Sequence, residues 1–416
     1  MGRFRGASAP GVAESPAAWL RLTVAMALST LGGVGMWSVV VVLPTVQTEF
    51  GVARGAASLP YTLTMLCFGA SGIAMGRLSD RFGIIVPVAV GSAMLGAGYL
   101  AAGEASTLWQ FALAQGVLIG AGSAATFAPL LAHVSLWFVR RRGIAVAIFA
   151  SGSYLAGVIW PPIVEHFIGT AGWRATYAGI GAFCLVTMLP LTLWLRRRPP
   201  LHDDHASSVP LRAKAPARAA ALGLSPGTLQ LLLVLAGLGC CVAMSMPQVH
   251  LVAYCSDLGY GPARGAEMLS LMLACGIVSR LSFGVICDRI GGLRTLLLGS
   301  SLQCVALLLF LPFDGLVSLY VISALFGLFQ GGIVPSYAII VREYFDRAEA
   351  GARVGIVITA TLFGMALGGW LSGAIFDLTG SYHAAFLNGI GWNLLNLSIA
   401  VFLVRRAFWR PVLASA

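Results

Sequence analysis

The sequence predicts an all-α membrane protein: twelve transmembrane helices forming two six-helix bundles related by pseudo-two-fold symmetry. Three observations predict it. Of 416 residues, 58% are hydrophobic and only 10% charged, against roughly a quarter charged in an average soluble domain. The apolar residues gather into runs of about 20, the length a helix needs to cross the hydrocarbon. One loop sequence returns 208 residues after its first appearance. This composition excludes an ordinary soluble enzyme, a disordered chain and a secreted disulfide scaffold.

The apolar runs are 20–46, 58–79, 84–102, 109–136, 143–167 and 174–195, then 229–255, 266–287, 293–312, 316–342, 353–376 and 384–404. The alternating ten-residue strands of a membrane barrel are absent from the pattern. The expected units are therefore a tail (1–18), a first bundle (19–195), a linker (196–228), a second bundle (229–405) and a tail (406–416). The linker opens with Arg196-Arg197-Arg198-Pro199-Pro200 and is rich in Pro, Ala, Ser and charge. It reads as a flexible hinge, and its His202 and His205 as solvated side chains rather than a metal site. Arg3 and Arg5 precede a stretch with no apolar core, so no cleavable signal peptide is expected.

Basic residues set the expected orientation. With the N-terminus cytoplasmic, 22 of the 26 Lys and Arg fall on the cytoplasmic side. The opposite loops hold Arg54, Arg174 and Arg264, and Arg280 lies inside a span. That bias predicts both termini in the cytoplasm of a multi-pass protein of the inner (plasma) membrane. It also accounts for the net charge of +11 without a nucleic-acid partner. The eight cysteines sit in or at the ends of apolar runs with no ligand-like spacing, and read as buried thiols. No catalytic residue, metal or cofactor is expected.

The recurring loop reads Gly76-Arg77-Leu78-Ser79-Asp80-Arg81-Phe82-Gly83 after the second span and Gly284-Val285-Ile286-Cys287-Asp288-Arg289-Ile290-Gly291 after the eighth. Gly76, Asp80, Arg81 and Gly83 map onto Gly284, Asp288, Arg289 and Gly291, and the same offset takes Gly172 to Gly380. Two halves of common origin follow. In each loop the first Gly is expected to admit a close helix, the Asp to accept from helix-end amides or pair with Arg, and the last Gly to permit a tight turn. Such a cluster reads as a conformational latch; the competing reading is a static turn with topogenic charges.

With this loop motif and its repeat, the whole chain resembles the major facilitator superfamily. Further segments narrow the likeness: Trp137-Phe138 with Arg140-Arg141-Arg142-Gly143 and Ala145, Gly172-Trp173-Arg174, the run from His250 to Gly259, and Arg280 four residues before Gly284. These are similar to the monocarboxylate transporters and their bacterial relatives, which include oxalate/formate antiporters. The resemblance implies transport by alternating access through a cavity between the bundles. It also implies that the helices carrying Tyr61, Phe127 and Tyr154 line that cavity. Proton-linked animal members have a lysine in the first helix and an aspartate one turn before the arginine. Here the first helix has no lysine and the second position is Gly276. Oxalate exchangers use a second basic residue in the eleventh helix, where this chain has only Arg353, at its cytoplasmic start.

Arg280 is informative without the family. It lies eight residues before Asp288, roughly 12 Å along a helix. A charge at that depth costs at least about 2.5–3.5 kcal/mol. All fifteen acidic residues fall in loops, tails or span ends, so no mid-helix carboxylate is available as a permanent partner. A visiting carboxylate would match the guanidinium fork; the competing reading is an arginine satisfied by carbonyls, hydroxyls and water. His250, with a pKa ordinarily near neutrality, is expected either to contact substrate and carry a proton or to cap its helix. Gln330 and Tyr337, seven apart, are expected to share a cavity-facing helix side.

The expectation is thus a monomeric carrier of small organic anions, above all monocarboxylates of the lactate or pyruvate type. Arg280 binds the carboxylate, and a proton is the candidate coupling ion. The rival readings are an exporter of apolar compounds on the same fold and an oxalate/formate-type exchanger.

Overall fold

Inside a bilayer every backbone N–H and C=O must find its partner within the protein, and apolar runs of this length do so as helices. The computed structural model describes residues 14–138, 141–196 and 222–413. Twelve of its helices are long and apolar enough to span a membrane. They are α1 (Pro16–Phe50), α2 (Arg54–Phe82), α3 (Ile85–Gly103), α4 (Leu108–Ser135), α5 (Ile144–Ala171), α6 (Trp173–Leu195), α7 (Pro226–Asp257), α8 (Pro262–Ile290), α9 (Gly292–Leu309), α10 (Leu316–Tyr344), α11 (Glu349–Thr379) and α12 (Tyr382–Phe408). Each overlaps one predicted run, in order, and no strand occurs among the described residues. Residues 1–13, 197–221 and 414–416, and with them most of the expected linker and its His202 and His205, lie outside the described residues.

Both half-chains begin by the same local device. The Ser15 hydroxyl accepts from the Ala18 N–H at 3.3 Å and the Ser225 hydroxyl from the Thr228 N–H at 3.1 Å. A proline follows each serine, at a position whose N–H would have no helical partner anyway. The caps start α1 four residues and α7 three residues earlier than the apolar runs alone suggest. At the other end the last helix continues to Leu413, through most of the expected tail.

Six helices surround each of two hydrophobic cores. One core holds Leu28, Val88, Leu95, Tyr99, Phe111, Phe149 and Tyr177 of α1–α6. The other holds Leu233, Met268, Leu296, Phe310, Phe326, Tyr337 and Phe386 of α7–α12. The outer surfaces of both bundles expose apolar side chains such as Trp109, Val186 and Val317, as a lipid-facing shell does.

The internal repeat is visible in backbone torsions. Gly83 and Gly291 both have φ +82°, and Gly172 and Gly380 have φ +82° and +67°. Gly51 (+60°) and Gly259 (+83°) form a third pair at the 208-residue offset, one that the motif comparison overlooked. Left-handed backbone is nearly reserved for glycine, so each pair marks the same turn used twice.

Four helices are interrupted, α2 among them at Ser58. α1 breaks at Gly33, α4 at Thr126–Phe127 and α10 at Gly331–Gly332. Pro129 and Pro335 open the second pieces of α4 and α10, where a missing N–H leaves the carbonyl four residues back without its helical bond. Glycines at these breaks admit neighbouring chain. A Cβ on Gly32 would fall 2.2 Å from Thr126 Oγ1, and one on Gly331 2.5 Å from the Gly276 carbonyl.

The face carrying both described chain ends is called proximal here. The face carrying Gly51, Gly172, Gly259 and Gly380 is distal. Between bundles, the second piece of α1 packs on α7, α2 on α11 and α5 on α8. The second core extends across this contact to Val39, Val40 and Leu43 of α1 and to Tyr61 and Met65 of α2. The bundles are thus packed together over their distal halves.

Close packing inside a bundle predicts a sharp contrast between glycines. A Cβ at Gly327 would lie 2.0 Å from the Met272 carbonyl, whereas at Gly355 it would meet nothing within 4 Å. Gly327→Ala is expected to cost about 1–3 kcal/mol and to lower the melting temperature of the purified protein by several degrees. Gly355→Ala should leave it unchanged or slightly raised, as differential scanning fluorimetry would read.

Candidate functional site

Two arginines occupy the interface between bundles, and their surroundings differ. Arg54 stands at the distal start of α2 and is 7% exposed. Its Nε donates to Gln47 Oε1 at 2.7 Å, Nη1 to Asp257 Oδ2 at 2.5 Å and to Tyr382 Oη at 2.8 Å, and Nη2 to Asp257 Oδ1 at 3.1 Å. The guanidinium also lies 4.4 Å over the Phe376 ring. Asp257, Phe376 and Tyr382 all belong to the second bundle.

Asp377 completes this cluster from α11. The residue preceding α2 is Ala53, which has no side chain able to cap a helix. Asp377 supplies the cap from the other bundle, accepting from the backbone N–H of Arg54 and of Gly55, each at 2.7 Å. Two carboxylates and one guanidinium therefore tie the bundles at their distal ends, in charge-assisted hydrogen bonds.

His250 belongs to the same cluster. It is fully buried, with Nδ1 3.1 Å from Tyr382 Oη and Nε2 2.7 Å from the Gly369 carbonyl. The carbonyl can only accept, which places the proton on Nε2 and leaves Nδ1 to accept from the tyrosine. Both ring nitrogens are committed to protein partners, so in this conformation His250 presents no free atom to a substrate. Tyr61 lies nearby: a Cβ on Gly369 would come within 2.9 Å of its ring. It packs α2 against α11 rather than facing a cavity.

Arg280 lies deeper, on α8 against α5. Its Nη1 donates to the Ala150 carbonyl at 3.2 Å, and its guanidinium sits 4.3 Å over the Tyr154 ring. Its Nε is buried without a hydrogen-bond partner. The ion pairs among the described residues are Arg54–Asp257, Arg174–Glu49, Arg264–Glu267 and Arg353–Glu349, so none engages Arg280. The Tyr154 ring also covers Gly276, where a Cβ would fall 2.4 Å from the ring edge. A carboxylate side chain at 276 would need the space that this tyrosine fills.

Phe127 stands at the break in α4, its ring 6.4 Å from Phe68 and 5.9 Å from Phe149. It lines a cavity of about 140 Å³ that Ser153 of α5 also borders. Arg280, Tyr154 and Phe127 are therefore grouped around α5. The other two aromatic and amide candidates are not. Tyr337 is fully buried in the second core and donates to Asn396 Oδ1 at 3.0 Å. Gln330 is buried against Gln248, whose Nε2 it accepts at 2.8 Å. The helix break at Gly331–Gly332 lies between the two, so the seven-residue spacing of one continuous helix does not apply to them.

The two loop motifs differ in part from expectation. Gly83 and Gly291 make the expected turns, their N–H groups reaching Ser79 and Cys287 carbonyls at 2.8 and 2.9 Å. A Cβ on Gly76 or Gly284 would meet no atom within 4 Å, so neither is a point of close helix approach in this conformation. Asp80, Arg81, Asp288 and Arg289 are exposed. The start of α9 is capped instead by Glu343, whose carboxylate faces the Gly292 N–H at 3.3 and 3.4 Å.

The distal cluster is the part that sequence reasoning missed. A signal was present: Glu49 and Arg174 map by the 208-residue offset onto Asp257 and Tyr382. In the first bundle Arg174 pairs with Glu49 at 2.7 Å. In the second, the arginine position is a tyrosine, and Asp257 takes its guanidinium from Arg54 across the interface.

Two bundles of six helices, joined at one end and holding an arginine at mid-depth between them, define a membrane carrier of the two-bundle class. The sequence profile of the Major Facilitator Superfamily matches residues 25–318 and 268–414. Monocarboxylate transporter 13 of Rattus norvegicus is 30% identical over 316 residues, covering 74% of this chain and 71% of the relative. The MFS-type transporter pynF of Aspergillus niger is 25% identical over 336 residues, covering 80% and 75%. A bacterial homolog of the human lysosomal transporter Spinster, solved inward-facing and unoccupied, superposes with a TM-score of 0.69 at 14% identity, over 95% of this chain and 96% of that one. The chain belongs to the major facilitator superfamily, in the branch of the monocarboxylate transporters, and is a transporter rather than an enzyme.

The distal cluster yields a prediction. Asp377→Asn keeps the shape but removes the charge that caps α2, at a cost of about 1.5–3 kcal/mol for charge-assisted bonds. Amide hydrogen exchange at residues 53–58, 252–258 and 372–382 should accelerate by roughly tenfold or more, with exchange in α3 and α9 unchanged.

Proposed function

We propose that this protein carries small organic anions, above all monocarboxylates, across its membrane by alternating access, with Arg280 holding the substrate carboxylate between the bundles. The observation that carries the reading is the buried, unpartnered Nε of Arg280. A buried donor left unmade costs about 1–3 kcal/mol, more on a charged group. Nη1 is held by Ala150 and the face by Tyr154. Nε is covered in this conformation; a movement that uncovers it opens the Nε–Nη2 edge, the side-on fork that a carboxylate accepts in two parallel bonds. The carbonyl and ring contacts hold the guanidinium in place without neutralising it, and only an anion does that.

The monocarboxylate transporters among the relatives support the same class. A single deep guanidinium favours one negative charge on the substrate over two. Binding there links α8 to α5 and so lowers the cost of closing the bundles around the charge; occupancy thereby biases the switch between conformations. The proximal face is read as cytoplasmic, on the strength of the arginine bias. In that orientation the structure is closed to the outside by the Arg54 cluster. The motifs at Asp80–Arg81 and Asp288–Arg289 are read as latches that engage when the proximal ends come together. A proton remains the candidate coupling ion, and His250 is released to take part only when the distal cluster separates.

The test is binding by the purified protein. L-lactate and pyruvate should raise the melting temperature of wild type; a ligand at 100 times its Kd adds about 2.7 kcal/mol. Arg280→Gln should abolish that rise, and Arg280→Lys should keep part of it. An undiminished shift in Arg280→Gln would refute the assigned role.

A further inference from the structure

A cavity of about 140 Å³ is bordered by Ser153, three residues along α5 from the carbonyl that Arg280 engages. It lies between α1, α2, α4 and α5, and it opens where α1 breaks at Gly33 and α4 at Thr126–Phe127. Met36, Phe68 and Phe127 form its apolar wall, and Ser29, Ser123 and Ser153 its hydroxyl-bearing side. No lining residue carries a charge.

Two observations connect this cavity to the carboxylate site and to a particular kind of ligand. The first is position. Ser153 Oγ and Arg280 Nη1 donate to the same acceptor, the Ala150 carbonyl, at 3.0 and 3.2 Å. A hydroxyl on the border of the cavity and the guanidinium therefore share one carbonyl. The second is size and wall chemistry. An apolar cavity of roughly 150 Å³ is enough to hold one benzene molecule. Tilted aromatic rings with a thioether beside them are favourable surroundings for another ring.

We propose that this cavity is the subsite for the organic group of the substrate, and that the group is a single aromatic ring. The ligand class is an arylcarboxylate: its carboxylate lies on Arg280 and its ring between Met36, Phe68 and Phe127. The neutral wall excludes a second carboxylate and selects a monoanion. The proposal rests on the Arg280 reading and goes beyond it by naming what lies behind the carboxylate.

The experiment measures binding of benzoate, 1-naphthoate, acetate and benzyl alcohol to the purified full chain by calorimetry, in wild type, Ser153→Leu, Phe127→Ala and Arg280→Gln. Burial of the ring should make benzoate at least about tenfold tighter than acetate in wild type. Ser153→Leu fills the cavity mouth, and the benzoate-to-acetate preference should fall about tenfold. Phe127→Ala enlarges it, and preference should move from benzoate toward 1-naphthoate; the opposite signs of the two variants separate the subsite from simple unfolding. Equal affinity for benzoate and acetate in wild type, a preference unmoved by both variants, or no binding of benzoate at all would overturn the ring subsite. The Arg280 reading fails separately: benzyl alcohol binding as tightly as benzoate, with Arg280→Gln changing neither, would refute the carboxylate contact while leaving the ring subsite standing.

Discussion

A guanidinium inside a membrane protein has to be compensated, and this chain meets that demand in two opposite ways. Arg54 engages Gln47, Asp257 and Tyr382 and lies on the Phe376 ring, so its charge is paired with a carboxylate and each of its three nitrogens donates a hydrogen bond. Arg280 has a ring, one carbonyl and a buried Nε with nothing to bond. The first arrangement holds the two bundles together at one face. The second leaves a localised positive charge at mid-depth, where the low dielectric makes an anion most effective. The proposed carboxylate site rests on that difference.

The symmetry between halves is kept in the backbone and broken in the charges. Glycine turns recur at 51 and 259, 83 and 291, 172 and 380, each with positive φ. The ion pair at the distal end of the first bundle, Glu49 with Arg174, closes within that bundle. Its counterpart in the second bundle has Tyr382 where Arg174 stands, so Asp257 reaches across to Arg54. Replacing one arginine by tyrosine converts an internal brace into a contact between bundles. Asp377 adds to it by capping a helix of the other half. Contacts of this kind can be broken by separating rigid bodies, without unfolding either one.

The helix breaks serve the same division. Interruptions in α1 and α4 meet at a small neutral cavity, whereas those helices are otherwise closely packed through glycine contacts. Irregular backbone at membrane depth is tolerated where it lines protein or a cavity rather than lipid. The cavity belongs to the first bundle and Arg280 to the second, and both adjoin the Ala150–Ser153 stretch of α5.

By itself the sequence determined the twelve spans, the two halves, the arginine bias and the isolation of Arg280. These depend on local quantities: run length, a repeated turn, and a count of acids at each depth. Ser–Pro caps moved the starts of the two halves by about three residues, and the last helix ran on to Leu413. The tertiary structure alone decided the rest. It took His250 into the distal cluster, buried Tyr337 against Asn396, separated Gln330 from it by a helix break, and left Gly76 and Gly284 without neighbours. It also brought Arg54 to Asp257, 203 residues away. Helix periodicity says which side of a helix is polar, but whether that side meets its own bundle, the opposite bundle or a cavity depends on how two separately packed bodies are set against each other, and no local pattern encodes that.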